Sequence, residues 1–356
     1  MGFTSKCTES AELQRRPATI CLPLECLLAI AIINGILFAT AMTHTASLSS
    51  SLARFDDAQT ARMLPFDRLV DTLKLTMLDY ASGLITSPER MVVPLRDGAV
   101  MLSMPAAAAD LAMHKLVNVC PKNGALGLPT IHGQVTAFDS ATGVPLFMLD
   151  GPTVTGRRTA AVTMIGIQAL LGREPAEVLV IGTGKQAAHH VEALSVLFPA
   201  VKIFVQGSRV ERAAVFCADH AGLSTKLSAL KDADIPASID VVIATTTSKT
   251  PVYTLPPIEG RLVIGVGAFT PDAAEIAAST VLASDVFVDD LAGARHEAGD
   301  LIQAGIDWDE VRPLASALSV QAADKGIKRP VLFKSVGCAA WDLAACRVVR
   351  ALLEAA

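Results

Sequence analysis

"EVLVIGTGKQAAHH", residues 177–190, sets the apolar run Val178–Ile181 against a Gly-x-Gly turn and then a stretch of helix formers. Gly182-Thr183-Gly184-Lys185-Gln186-Ala187 matches the Gly-x-Gly-x-x-Gly/Ala dinucleotide fingerprint. Gly182 makes the tight turn, Gly184 lets backbone approach a pyrophosphate, and Ala187 lets helix and strand pack closely. Amide groups at the start of the helix, with its dipole, favour phosphate. Taken alone the pattern is weak, because glycines after strands also make plain turns, so its surroundings decide.

Those surroundings alternate. "VLVIG", helix 186–198, "VKIFVQG", helix 209–221, "DVVIATT", "LVIGVG" and "DVFVDD" follow one another, and the strands are apolar throughout rather than on one face. Strands of that kind belong to a parallel sheet covered on both sides. A carboxylate at the end of the second strand would select NAD; this chain has "FVQGSRVER", in which Ser208 and Arg209 can donate to a 2′-phosphate. NADPH is the expected cofactor, with NADH possible and Glu211 the residue most opposed to phosphate.

Upstream the period is that of strands. "RMVVPLRDGAVMLSMPA" (90–106) reads as a hairpin turning at Arg96-Asp97-Gly98, and "HKLVNVC" and "GQVTAFDSATGVPLFMLD" add strands that turn at Ser140–Gly143. A single helix is expected over 62–85, from apolar positions such as Leu64, Leu69, Leu73 and Leu78, and a helical segment from Gly156 to Leu171 leads into the quoted strand. The expected fold class is α/β: a Rossmann-type parallel-sheet domain (156–305) plus a mainly antiparallel α+β substrate-binding and dimerisation domain (42–155 and 306–356).

The 356 residues, 51% hydrophobic and 18% charged, suffice for two cores, and a net charge of −5 gives no electrostatic reason to expect nucleic acid. The seven cysteines show no C-x-x-C pair or nearby ligand histidines, so neither a metal site nor a disulfide framework is expected and a cytoplasmic location is. Residues 1–41 form a separate extension. Ile20 to Met42 imitates a signal peptide or anchor, but Glu25, Pro23 and Asn34 oppose a membrane span, and Met42 opens an ordinary polar start, so a misassigned start site is the expectation.

The basic residues Arg90, Lys115, Arg157 and Arg158 lie among apolar strands and at the domain junction. Two arginines and a lysine meeting in one cleft would suit a small carboxylate with a polarised carbon–nitrogen double bond. Spacing does not show that they meet, and on spacing alone each reads better as a snorkelling surface cation. His132 and Asp272 are left outside the catalytic set, since a strand histidine is more often structural.

"HKLVNVCPKNGALGLPTIHGQVTAFDSATGVPLFMLDGPTVTGRRTAAVTMIGIQALL", then "VLVIGTGKQAAHH", "GAFTPDAAEI" and "VLFKSVG", from about residue 62 to the C-terminus, resemble the ornithine cyclodeaminase and mu-crystallin family. The resemblance implies a dimer-building substrate domain and an inserted nucleotide domain. It matches Arg90 and Arg158 to the arginines that hold a substrate carboxylate, and Lys115 to the active-site lysine. Gln186, Thr245, Thr246 and Ser335 fall at positions that approach the cofactor in relatives. Two departures matter: Phe269 and Leu102 stand where cyclodeaminases carry carboxylates. Without them deamination has no obvious base and ornithine's ammonium no counter-charge. The expected activity is therefore NADPH-dependent reduction of cyclic ketimine carboxylates, Δ1-pyrroline-2-carboxylate to L-proline and Δ1-piperideine-2-carboxylate to L-pipecolate, by a homodimer without nucleic-acid or membrane partners. Rival readings are an ornithine cyclodeaminase, an alanine or opine-type dehydrogenase, and a non-catalytic NADPH-binding protein like mu-crystallin.

Overall fold

The computed structural model describes residues 52–224, 226–231, 234–318 and 329–356. The expected extension 1–41 lies outside them. Two sheets organise the chain. The first takes β1 (Ala53–Arg54), β2 (Met91–Pro94), β3 (Val100–Ala107), β4 (Leu111–Val119), β5 (Ile131–Asp139) and β6 (Pro145–Asp150) in the order β1-β6-β5-β4-β3-β2, antiparallel except for the β1–β6 pair. The hairpin between β2 and β3 turns where Asp97 and Gly98 adopt φ 59° and 77°, as Asp-Gly allows. Leu111, Met113, Lys115 and Val117 of β4 are buried on one face, whereas Ala112, His114, Leu116 and Asn118 are half-buried on the other.

The second sheet is parallel and contains β7 (Glu177–Ile181), β8 (Lys202–Gln206), β9 (Leu227–Ala229), β10 (Val241–Ala244), β11 (Leu262–Gly265), β12 (Asp285–Val288), β13 (Arg312–Pro313) and β14 (Val331–Lys334), in the order β13-β12-β14-β11-β10-β7-β8-β9. From β9 through β11 this is the doubly wound order, whose direction reverses between β7 and β10. Val178–Ile181 and Val241–Ala244 are buried on both faces, which accounts for their unbroken apolar runs. The α/β class expected from the sequence is the class found. The boundary expected at 306, however, does not coincide with a change of sheet, because β13 and β14 complete the parallel one.

Helices join the layers: α1 (Asp57–Arg62), α2 (Phe66–Ala81), α3 (Gly151–Leu170), α4 (Lys185–Leu197), α5 (Val210–Asp219), α6 (Ala278–Leu282), α7 (Leu291–Glu297), α8 (Gly299–Ala304), α9 (Leu314–Leu318) and α10 (Ala339–Glu354). The single helix expected over 62–85 is two. Asp56 and Gln59 close a capping box on α1, then Pro65 takes the N-cap of α2 and keeps Leu64 out of a helix. The helix expected from Gly156 starts five residues earlier. Asp150 ends β6 and also caps α3, accepting from the Thr153 amide at 2.8 Å, so strand runs into helix without a loop.

Helix α3 is buried along nearly its whole length because it lies between the two sheets. Gly166 fits it onto the parallel sheet, since a Cβ there would stand 2.6 Å from the ring of Phe333 in β14. Helix α10 packs on α2 and on the buried face of β4, which brings its Asp342 to Lys115. No helix among the described residues is long and apolar enough to cross a membrane.

Candidate active site

At the carboxyl end of β7, Gly182 has φ 127°, a conformation other residues rarely adopt, and a Cβ there would lie 2.6 Å from Thr245 Oγ1 at the end of β10. Thr245 in turn donates to the Ile181 carbonyl at 3.2 Å. Gly184 opens α4 with no other atom within 4 Å of where a Cβ would sit, so a ligand can approach the backbone. Ala187 is buried against the sheet, and Thr183 packs beside Gly207, whose Cβ would meet its methyl at 3.2 Å. Gln186 keeps a buried Oε1 with no partner among the described residues. The open backbone approach at Gly184 and a helix N-terminus fit a dinucleotide pyrophosphate. Ser208 and Arg209 are exposed at the end of β8, where the fold puts the adenosine ribose.

The loops after β10 and β11 are tied by carboxylates that the sequence did not reveal. Glu275 accepts from the amides of Thr246 (2.5 Å), Gly267 (2.6 Å) and Ala268 (3.1 Å), and burial pushes its carboxyl pKa up. Asp300 accepts from the Glu275 and Ile276 amides and pairs with Lys334 at 2.7 Å. Asp289 gathers the turn after β14. It accepts from the Ser335 hydroxyl, the Val336 and Gly337 amides and Trp341 Nε1, at 2.9 to 3.2 Å. The Ser335 hydroxyl is thus turned inward. What this turn offers the site is the backbone of Val336 and Gly337.

On that backbone two of the expected cations meet, and Asp342 ties the third to them. Arg90 Nη2 donates to the carbonyls of Val336 (3.2 Å) and Gly337 (2.9 Å), and it pairs with Glu297 Oε2 at 2.6 Å. Arg158, from α3, lies so close to Gly337 that a Cβ there would stand 2.5 Å from Nη1. Its Nε donates to Asp342 Oδ1 at 3.3 Å, while Lys115 Nζ donates to Asp342 Oδ2 at 2.5 Å. Burial lowers the Lys115 pKa to about 8; Asp342 pulls it back up, and the guanidinium groups of Arg158 and Arg90 press it down. Glu297 is driven up to about 7 by burial, against the pull of Arg90 and with Asp290, Asp289 and Glu89 adding repulsion.

Arg157 belongs elsewhere. One helical step turns it some 100° from Arg158, and there its Nε donates to Leu64 O, its Nη1 to Glu192, and its plane stacks 4.1 Å from the Phe66 ring. His132 is exposed on the opposite face of the sheet, and Asp272 pairs with Lys249 at the surface. His189 and His190 pack α4 on α3, and burial lowers both to about 4. A cleft of 940 Å³ also lies against the half-buried sheet face, bordered by Asn118, His132, Gln134, Lys185 and His189, and includes none of Arg90, Lys115 or Arg158.

Asp342, Asp289 and Glu297 are the functional candidates that sequence reading missed. Only Asp342 carried a signal, as a lone acid in the apolar helical run "AAWDLAAC". Both halves of the site stand at the carboxyl edge of one parallel sheet, since Gly182, Thr245 and Gly337 follow β7, β10 and β14. That is where doubly wound folds bind their ligands.

Fold and site together are those of a Rossmann-type dehydrogenase with a second, cation-lined sheet domain. The chain belongs to the ornithine cyclodeaminase/mu-crystallin family, whose sequence model matches residues 56–356. It is 60% identical over 306 residues, 86% of its own length and 97% of the relative's, to the Δ1-pyrroline-2-carboxylate/Δ1-piperideine-2-carboxylate reductase of Azospirillum brasilense. It is 58% identical, with the same coverage, to Δ1-pyrroline-2-carboxylate reductase 2 of Burkholderia ambifaria. Among solved structures, the Thermococcus litoralis Δ1-pyrroline-2-carboxylate reductase in complex with NADH and L-proline superposes with TM-score 0.76 at 23% identity, covering 85% of this chain and 98% of that one.

Proposed function

We propose that the chain reduces cyclic ketimine carboxylates with NADPH, converting Δ1-pyrroline-2-carboxylate to L-proline and Δ1-piperideine-2-carboxylate to L-pipecolate. The observation that carries this reading is the meeting of Arg90, Arg158 and Lys115 at Gly337 and Asp342, on the edge that holds the glycine turn. The relatives at 58–60% identity are Δ1-pyrroline-2-carboxylate reductases, that of Azospirillum brasilense a Δ1-piperideine-2-carboxylate reductase as well.

NADPH, when bound, supplies the hydride for the ring carbon of the C=N bond. The residues that would hold it are Gly182, Thr183, Gly184, Gln186 and Ala187 at the pyrophosphate, Ser208 and Arg209 at the 2′-phosphate, and the segments of Thr245, Thr246 and Ser335 towards the nicotinamide. Arg90 and Arg158 bind the substrate carboxylate and fix the plane of the ring. Lys115 orients the imine nitrogen and holds a proton beside it. Its pKa of about 8 suits proton transfer near neutral pH. A charged lysine beside an iminium would be opposed, but Asp342 makes the lysine site a neutral pair.

Leu102 is buried on the same face of the first sheet as Lys115, and Phe269 is 41% exposed, so neither supplies the charge that cyclodeamination of ornithine needs. The half-buried face of β3–β6, away from Lys115, supports a homodimer built on that sheet. Cys120, Cys217, Cys338 and Cys346 are free thiols, which suits the cytoplasm.

The test is NADPH and NADH oxidation with both ketimines, set beside pyruvate plus ammonia and beside ornithine with NAD. Ring-ketimine turnover with NADPH should exceed the others by orders of magnitude. Faster pyruvate amination would replace this reading with an alanine dehydrogenase, and nucleotide binding without any turnover would replace it with a binding protein.

A further inference from the structure

Asp342 has no place in the substrate grip or the nucleotide edge, yet its carboxylate is completely buried. One oxygen is 2.5 Å from Lys115 Nζ and the other 3.3 Å from Arg158 Nε. Lys115 and Arg158 are themselves only 2% and 6% exposed, and two such cations side by side require a counter-charge. The groups that face Lys115 come from three elements: Asp342 on α10, Arg158 on α3, and Arg90 ahead of β2, which Glu297 at the end of α7 partly neutralises. The thiol of Cys346, one turn beyond Asp342, stays protonated, pushed up by burial and then by that carboxylate.

We propose that Asp342 is the positioning residue of the reduction: it keeps Lys115 an ammonium aimed at the substrate nitrogen and carries the negative charge that outlasts the proton's departure. The inference rests on the ketimine-reductase reading. Before transfer the lysine–aspartate pair is neutral and so is the imine. The Nζ–H bond breaks as an N–H bond forms on the imine, leaving a neutral lysine and an iminium beside the ionised Asp342. Hydride, with its electron pair, bonds to the ring carbon; the C=N π pair becomes the lone pair of the product amine, and the dihydronicotinamide is oxidised. Solvent then returns a proton to Lys115. The carboxylate does not move or change charge, so it offers a fixed field to a cation that passes from lysine to substrate.

Asp342→Asn removes the charge and keeps the shape. The new amide accepts from Arg158 Nε through its oxygen and donates to a neutral Lys115 through its nitrogen, so folding is favoured with the lysine deprotonated. Relative to wild type, the basic limb of the kcat pH profile should move down from about 8 by roughly one unit or more, and kcat at pH 8 should fall by roughly fivefold or more. NADPH binding, read by nucleotide fluorescence, should change less than about twofold, because the turn after β14 that leads into α10 lies three strands along the sheet from the glycine turn after β7. An unmoved basic limb would overturn the proposal. Failure of the underlying reading looks different, since wild type itself would then leave NADPH unoxidised with either ketimine.

Should the single variant not fold, the double variant Lys115→Met/Asp342→Asn decides. The double variant leaves no lysine charge without its carboxylate, and the Asn oxygen still accepts from Arg158 Nε. If Asp342 acts through Lys115, the double variant should be no slower than Lys115→Met alone. A further loss of tenfold or more would show that the carboxylate acts independently and would overturn the assignment.

Discussion

Gly337→Ala probes the grip on the substrate without touching a charged residue. Gly337 has φ 75°, and a Cβ would stand 2.5 Å from Arg158 Nη1, 2.9 Å from Nη2 and 3.1 Å from Cζ. Ordinary contact needs about 3.5 Å, so one of the two groups must retreat by roughly 1 Å. The turn cannot, because its amides and the Ser335 hydroxyl are held by Asp289. The guanidinium therefore swings away, and a displacement of that size in a substrate-orienting group costs about 100-fold in kcat/KM. The left-handed backbone adds about 1 to 2 kcal/mol of destabilisation. Gly305→Ala is the control. Its φ of 68° imposes the same backbone strain with nothing within 4 Å of the added methyl, so it should lower Tm and leave kinetics unchanged. The assay is kcat/KM for Δ1-pyrroline-2-carboxylate at saturating NADPH, with thermal melts and a fluorescence Kd for NADPH. If Gly337→Ala loses stability like the control but keeps wild-type kcat/KM, Arg158 does not orient the substrate.

Other substitutions separate the parts of the site. Arg209→Gln should weaken NADPH binding about tenfold and leave NADH binding unchanged, as nucleotide titrations would show; equal losses for both would remove Arg209 from the phosphate. Arg157→Met, which breaks the contacts to Leu64, Glu192 and Phe66, should lower Tm and leave the ketimine KM within about twofold, in contrast to Arg158→Met. Glu297 gives a pH test. Its carboxyl is raised from 4.5 to about 7, first by burial, so the folded state binds its proton more tightly than the unfolded state does. Stability from this group is complete below pH 4.5 and is lost as pH rises through 7. The Tm of Glu297→Gln should gain on wild type across that window, and a constant difference would show that Arg90 fully compensates the charge.

The parallel sheet was legible because buried strands leave unbroken apolar runs, and "EVLVIGTGKQAA" and "DVVIATT" carry that signature with the turn chemistry between them. The β2–β3 hairpin was legible from Asp97-Gly98. Helix boundaries were less so. At Asp150 one side chain both ends a strand and caps a helix, and at Pro65 the same apolar period continues across a break. Strand β14 follows the nucleotide segment in the chain yet lies between β11 and β12, a placement that sequence order does not report.

In the site, Arg90, Lys115 and Arg158 were found through resemblance rather than spacing, since they come from three elements up to 68 residues apart. Arg157 and Arg158 look alike in "TGRRTAA", and only packing separates a structural cation from one in the site. The carboxylates Asp289, Glu297 and Asp342 were not found because their meaning depends on which cation or amide they face. Asp342 lies 227 residues from the lysine it holds.

A crystal structure with NADP+ and L-proline tests the central claim most directly. The proline carboxylate is predicted to bond the guanidinium groups of both Arg90 and Arg158, with its ring nitrogen beside Lys115 and its Cα roughly 3 to 3.5 Å from the nicotinamide carbon that carries the hydride. Proline bound instead in the 940 Å³ cleft near His132 and Gln134, on the other face of the sheet, would contradict it.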